Sequence, residues 1–303
     1  MQSDVIQKGC VLAIGNFDGV HKGHQALLKN ARKTADERDA PFGVLTFTPH
    51  PRRFFQPDLP PGRLTTDVQK QKLLKKHGCD FVAFENFDTY MRDLTPQEFV
   101  DEILVKKYDP VCVIVGFNFY FGKGRAGNPS ILKDLGKERG FDVLVTDPIG
   151  CGVGHYSSSR ARTAVRTGDF MAAASILGRP FQISGPVLHG DKRGREIGYP
   201  TANQSMLGYV RPPYGVYAVQ ARTIDGHLHN GVANLGIRPM FEVSEPLLET
   251  YLFDFNDDIY GQNLDVSLLK HLRDEKNFAS LDGLIVQIKK DEAAARAYLE
   301  TLK

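Results

Sequence analysis

Five short apolar runs, at 11–14, 42–47, 81–84, 111–115 and 143–145, recur through the first half of the chain with amphipathic stretches between them. A half-exposed strand would alternate polar and apolar residues. Near-continuous runs of this length instead suit strands covered on both faces, as in a parallel sheet. The intervening stretches carry helix signals. Thr95, Pro96 and Glu98 form a capping box with proline at the first helical position. Asn128 with Pro129 starts another helix, and Gly140 ends it. The repeat predicts an open α/β fold as far as Gly178.

Beyond Gly178 the pattern changes. Residues 179–182 read as a linker, and short β-like segments follow at 217–221, 231–235, 248–255 and 264–269, broken by Gly and Pro. That pattern suits a small β-barrel or sandwich. The end is helical: Ser280 is an N-cap candidate, and Leu281, Leu284, Ile285 and Ile288 repeat at helical spacing. A chain of 303 residues fits two domains, here 1–181 and 182–303.

A formal net charge of +2 is too small to imply a nucleic-acid or membrane partner. Cys10, Cys79, Cys112 and Cys151 form no CxxC pair and are expected to be buried reduced thiols, not zinc ligands or disulfides. The start of the chain lacks a long apolar stretch behind basic residues, and no apolar run reaches the ~18 residues of a membrane span, so a cytoplasmic location is expected.

The first chemical motif is Gly15-Asn16-Phe17-Asp18-Gly19-Val20-His21-Lys22-Gly23-His24. It follows an apolar run and opens a helix carrying Leu27, Leu28 and Ala31. A strand, a Gly-rich turn and a helix start present backbone N–H groups and a positive helix end to phosphate. His21 and His24, three apart, can face one ligand and donate hydrogen bonds to phosphoryl oxygens as charge builds. Gly19 and Gly23 would let a nucleotide approach the backbone. Ser157, Ser158 and Ser159 beside Arg160 and Arg162 suit a phosphate grip at a helix start, or an ordinary capped helix with solvated arginines. Phe117, Phe119, Tyr120 and Phe121 suit either a stacking wall or core packing.

The second motif runs His189-Gly190-Asp191-Lys192-Arg193-Gly194-Arg195-Glu196-Ile197-Gly198-Tyr199-Pro200-Thr201-Ala202-Asn203. Its glycines and basic residues suit a loop closing over phosphates. Thr201 and Asn203 offer two neutral oxygens one residue apart, a fit for Mg²⁺ when ATP supplies further ligands, although the four residues 200–203 alone would read as a turn.

Together these strings resemble the bacterial bifunctional riboflavin kinase/FAD synthetase family. The HxGH core resembles that of the nucleotidyltransferase superfamily. Thr46–Pro51, Gly116–Arg125 and Ser157–Arg162 are similar to the family's FxPHP, GxxFxFGxxR and SSTxIR segments, with Ser159 in place of Thr and Ala161 in place of a β-branched residue. Downstream, Pro213–Tyr217, Asn234–Pro239, Glu249–Phe255, Ile259–Gly261 and Arg273–Phe278 resemble PxGVY, NxGxRP, ExHLxDF, LYG and LRxExxF, departing at Met240 and Tyr251.

The resemblance covers about residues 9–292. It implies a Rossmann-like α/β nucleotidyltransferase domain followed by a six-stranded Greek-key β-barrel with a C-terminal helix. It implies ATP and Mg²⁺ with riboflavin, FMN and FAD as partners, in a monomer or weak homo-oligomer. Glu249, His21 and His24 take catalytic roles, Glu249 as general base on the ribityl 5′-hydroxyl. Gly15, Phe17, Asp18, Gly23, Asn118, Lys123, Ser157, Ser158, Ser159, Arg160 and Arg162 bind ATP or phosphate, as do Gly190, Lys192, Gly194 and Arg195. Thr201 and Asn203 hold Mg²⁺, and Phe119, Tyr120, Arg273 and Phe278 bind flavin. Two rivals stand beside this reading: a nucleotidyltransferase for another substrate, and a flavin-binding protein without activity. The first leaves the second motif unexplained, and the second leaves the intact His21, His24, Thr201, Asn203 and Glu249 unexplained.

Overall fold

A computed structural model describes residues 3–151, 154–189, 197–240 and 243–302. The chain divides into two compact units, one made of Met1–Pro60 with Asp67–Ser157 and the other of Pro61–Thr66 with Ser158–Lys303.

The first unit is built on strands β1 (Val11–Ile14), β2 (Phe42–Thr48), β3 (Phe81–Asn86), β4 (Cys112–Gly116) and β5 (Asp142–Thr146), all parallel in the order β3-β2-β1-β4-β5. Helices α1 (Lys22–Glu37), α2 (Pro51–Phe55), α3 (Asp67–Lys76), α4 (Thr89–Asp93), α5 (Pro96–Glu98) and α6 (Pro129–Arg139) connect them. Thr95 closes a full capping box with Glu98, and the chain then winds as a π-helix over Phe99–Tyr108. Asn128 caps α6, which ends at Gly140 with φ 82°.

Period-2 geometry splits β1 between two cores. Leu12 and Ile14 face Phe99, Ile103 and Leu132, while Val11 and Ala13 face Leu28, Ala31 and Ala35 of α1. Burial on both faces holds for β1, β2 and β4 but fails for β5, where Asp142 and Leu144 are exposed. As the last strand in the order, β5 has a neighbour on one side only. A two-residue ribbon, β6 (Gly150–Cys151) and β7 (Gly154–His155), follows it.

The second unit's longer stretch opens with α7 (Ser158–Arg166) and α8 (Phe170–Leu177). Strands β8 (Phe181–Pro186), β9 (Ala202–Ser205), β10 (Gly215–Arg222), β11 (Leu228–Met240), β12 (Val243–Leu252) and β13 (Asn263–Asp274) pair antiparallel in the order β8-β13-β10-β11-β12-β9. A Leu188–Asn203 bridge and a Gln204 Nε2 bond to Gly185 O bring the two ends together, so the sheet is a nearly closed barrel. β9 lies beside β12 while β10, β11 and β12 follow as hairpins, which is a Greek key. Helix α9 (Leu281–Glu300), capped by Ser280, packs Ala295 and Leu299 on the outer face against Val216, Ala218 and Val232.

Three expectations need correction. Residues 179–182 are not a linker, because Phe181 starts β8 and is 1% exposed. The segment expected at 248–255 stops at Leu252, where Asp254 takes φ 57° and turns the chain. On α9, Leu281 is exposed, and the fully buried positions lie further along, at Asp291, Ala295 and Leu299.

Candidate active sites

In an open parallel sheet, ligands bind beyond the carboxyl ends of the strands, where the order reverses. Here that point lies between β1 and β4. The loop leaving β1 is tightly wound. Phe17, Gly19 and Val20 have φ of 48°, 79° and 40°, and Val20 N–H donates back to Phe17 O at 3.1 Å. Positive φ at a buried β-branched residue is a strained arrangement, of a kind that clusters at functional sites. Thr46 Oγ1 donates to Asn16 O at 3.1 Å and ties the loop to β2.

His21 caps α1: its Nδ1 accepts from His24 N–H at 3.3 Å. The two imidazoles stack with centroids 3.6 Å apart, and Phe17 meets His24 edge-on at 5.1 Å. His21, Phe17 and Asp18 are buried, His21 at 7% exposure. An Nδ1 that accepts carries no proton, which leaves Nε2–H of His21 as the donor. Gly23 also has a packing reason. A Cβ there would come within 3.1 Å of the His21 ring and 3.3 Å of Tyr156 O, so glycine makes room for the imidazole. At Gly15 a Cβ would stand 3.2 Å from the Phe17 ring.

In the loop after β4 the four aromatic rings divide by burial. Phe121 is buried in the core and stacks on the half-buried Phe119 at 5.5 Å. Phe117 and Tyr120 are half exposed, and the Arg125 guanidinium lies 4.6 Å over Tyr120. Asn118 is exposed, and exposed Lys123 places Nζ 3.8 Å from Asp93 Oδ1. Ser157 ends the first unit, whereas Ser158, Ser159, Arg160 and Arg162 belong to α7 of the second. Arg162 Nε donates to Gly62 O at 2.6 Å.

In the barrel, strand register assembles one row. Asn203 of β9 stands opposite Glu249 of β12, Glu249 opposite Asn234 of β11, Asn234 opposite Val216 of β10, and Val216 opposite Arg273 of β13. Directly opposed residues share a face, so two strings distant in sequence bring Asn203 and Glu249 side by side. Thr201 lies just before β9 and is half-buried, and Asn203 is 9% exposed. Neutral and carboxylate oxygens in this pairing are hard donors that suit Mg²⁺ better than a softer ion. Among the described residues no cluster of three or more His, Cys, Asp or Glu side chains could hold a metal by itself, so ATP would have to supply further ligands.

Tyr251 meets the Tyr199 ring edge-on at 5.0 Å; burial pushes both phenols up, with Glu292 adding to it. Gly215 admits no other residue, because a Cβ would lie 2.2 Å from Arg273 O. Arg273 is held by Asp291, and half-buried Phe278 lies 5.9 Å from its guanidinium. Gly190, Lys192, Gly194 and Arg195 lie outside the described residues.

The sequence reading gave Asn234 and Tyr199 no role of their own within the strings that contain them, and it missed Asp291. A signal existed for Asp291: positions 284, 288, 291, 295 and 299 fall on one helical stripe whose other members are Leu, Ile, Ala and Leu. An acid on such a stripe calls for a buried partner.

Residues 3–160 match the family model described as FAD synthetase, and residues 177–299 match the one described as riboflavin kinase. A bifunctional riboflavin kinase/FMN adenylyltransferase of Escherichia coli (strain K12) is 42% identical over 99% of this chain and 96% of its own. One of Bacillus subtilis (strain 168) is 35% identical over 98% and 95%. A solved structure described as a macrolide-efflux protein from Streptococcus pneumoniae aligns with a TM-score of 0.84 and 32% identity, covering 97% of this chain and 96% of that one. That description is of the pneumococcal protein; among the described residues here, no helix is long and apolar enough to cross a membrane.

Proposed function

Because the chain belongs to the bifunctional riboflavin kinase/FMN adenylyltransferases, and so phosphorylates riboflavin to FMN and adenylylates FMN to FAD, we propose how its residues divide that work. Adenylyl transfer falls to the first half and riboflavin phosphorylation to the barrel. The catalytic division is drawn at 181/182, although the compact unit that carries the barrel takes in Pro61–Thr66 and everything from Ser158 on.

The observation that carries the kinase assignment is the row Asn203–Glu249–Asn234. Glu249 accepts the proton of the ribityl 5′-hydroxyl as that oxygen attacks the γ-phosphorus of ATP, the bond from the γ-phosphorus to the β,γ-bridging oxygen breaks, and ADP leaves. Thr201 and Asn203 hold Mg²⁺, which supplies charge neutralisation on the ATP phosphates. Gly190, Lys192, Gly194 and Arg195 bind phosphate on the strength of their sequence alone. Arg273 and Phe278 flank the flavin ring.

In the first half, the FMN phosphate attacks the α-phosphorus of ATP and pyrophosphate leaves. His21 donates from Nε2, and His24, held between His21 and Phe17, faces the same phosphoryl group. Gly15, Phe17, Asp18, Gly23, Asn118 and Lys123 contribute to the ATP site. The α7 residues Ser158, Ser159, Arg160 and Arg162, with Ser157, are assigned to phosphate from their sequence. Tyr120 and Phe119 are assigned to the flavin; of the two, Tyr120 is the exposed ring. A cytoplasmic location is proposed too, in keeping with ATP as substrate and with the buried free thiols of Cys10, Cys79 and Cys112.

Two variants test the division. His24→Ala should lower FAD formation about 10²–10³-fold and spare FMN formation. Glu249→Gln should lower FMN formation about 10²–10⁴-fold and spare adenylylation of supplied FMN. Chromatography of FMN and FAD from each folded variant reads both. With riboflavin supplied for the kinase step and FMN supplied for the adenylylation step, loss of both activities in either folded variant would refute the division.

A further inference from the structure

We propose that Asp291 on α9 is a positioning residue of the kinase site: it fixes the plane of the Arg273 guanidinium and thereby sets riboflavin affinity, while touching neither riboflavin nor the transferred phosphoryl group. The inference rests on the reading of Arg273 as a flavin contact.

Asp291 is 6% exposed, and a carboxylate so placed needs partners. It takes them from two sides. Arg273 Nε donates to Oδ1 at 2.9 Å, and Arg273 Nη2 donates to Oδ2 at 2.7 Å. Gln287, one turn back on the same helix, donates from Nε2 to Oδ1 at 2.8 Å. The carboxylate is thus itself oriented before it orients the arginine.

A guanidinium is a planar fork, so a two-point contact along one edge fixes its plane as well as its position. Arg273 Nη1 adds a bond to Asp274 O at 2.9 Å. Three of five N–H groups are then engaged, which leaves two for a ligand. The side chain keeps 23% of its surface open, with the Phe278 ring beside it. Arg273 also ends the row that holds Glu249. Three strand spacings separate them, ~14 Å along the sheet at ~4.8 Å each. That span has room for a ring system at the arginine end and a reacting hydroxyl at the glutamate end. A flavin ring carries carbonyl acceptors on its pyrimidine edge, which two outward N–H donors in a fixed plane can meet. Lysine could offer charge there but no plane.

A pair that only fastened α9 to the barrel would affect stability and leave substrate affinity alone. The test uses the full chain. Asp291→Asn keeps the shape of the carboxylate but removes its charge and one acceptor. It should raise riboflavin KM, and the Kd read from flavin fluorescence, about tenfold, the scale on which losing an orienting partner shows itself. Turnover at saturation should stay within about twofold, adenylylation of supplied FMN should be unchanged, and Asp291→Glu should restore part of the affinity. Gln287→Met, which removes only the support of the carboxylate, should shift KM the same way by a smaller factor, and it carries the test if Asp291→Asn does not fold. An unchanged riboflavin KM in the folded variants, with a lowered Tm alone, overturns the inference. Arg273→Met separates the two ideas. If it leaves riboflavin affinity intact, the flavin reading of Arg273 is wrong. If it weakens affinity while the Asp291 and Gln287 variants do not, the positioning role alone is wrong.

Discussion

With its Nδ1 committed to the His24 amide, the His21 ring cannot swing without uncapping α1. Asn203 is constrained differently. It is paired between β9 and β12 opposite Glu249 and is 9% exposed, so the sheet fixes the face from which its side chain leaves. Asn203→Ala should therefore raise the KM for Mg-ATP in riboflavin phosphorylation by about tenfold or more and leave adenylylation of FMN intact. Initial rates for both steps on one preparation check it, and an equal fall in both would remove Asn203 from the kinase site. Residues such as Asn203, Glu249 and His24 were legible in the sequence because each stands in a contiguous string whose chemistry is local. Their adjacency was not, since only register sets Asn203 beside Glu249. Asp291 stands in no string, and its meaning depends on a strand eighteen residues away in the chain.

The same contrast holds for elements. The strands of the parallel sheet were legible because both faces are apolar, and β5 misled because an edge strand can be apolar in sequence and open on one side. β8 and β9 were hidden because each is short and each overlaps a stretch with another reading, a linker and a metal loop. α7 and α8 belong to the barrel unit, where Phe170 meets the fully buried Tyr217 edge-on at 5.6 Å. A fragment starting at Ile183 would lose both Phe170 and Phe181, and deleting buried phenylalanine side chains costs about 3–5 kcal/mol each. A Ser158–Lys303 fragment should therefore unfold cooperatively at a higher temperature than a 183–303 fragment, and calorimetry of the pair decides it. Equal melting temperatures would mean that the two helices add nothing to the barrel.

At the scale of the whole molecule, alkali should act on the first unit through its thiols. Burial pushes Cys10 and Cys79 up to about 12 and Cys112 up to about 11, from 9.0. Each folded value lies above the unfolded one, so the stabilisation is full below pH 9 and is lost as pH rises towards 12. The Tm of the first unit's transition should hold up to about pH 9 and then fall. Native protein at neutral pH should leave these three cysteines unlabelled by iodoacetamide, as peptide mapping would show. Rapid labelling of any of them without unfolding would contradict their burial.

Pro61–Thr66 belongs to the barrel unit, where Arg63 N–H donates to Gly208 O and Val210 N–H to Arg63 O. On the ribosome these six residues appear long before their partners. Roughly 140 residues must follow at ~5–20 residues per second, a wait on the order of ten seconds. The α/β unit can close around its own strands during that interval, but the barrel's first piece must wait for Gly208 and Val210, which emerge about two thirds of the way through synthesis. The order of translation and the order of assembly therefore differ in this chain, and the late-finishing half holds a stake in residues made early.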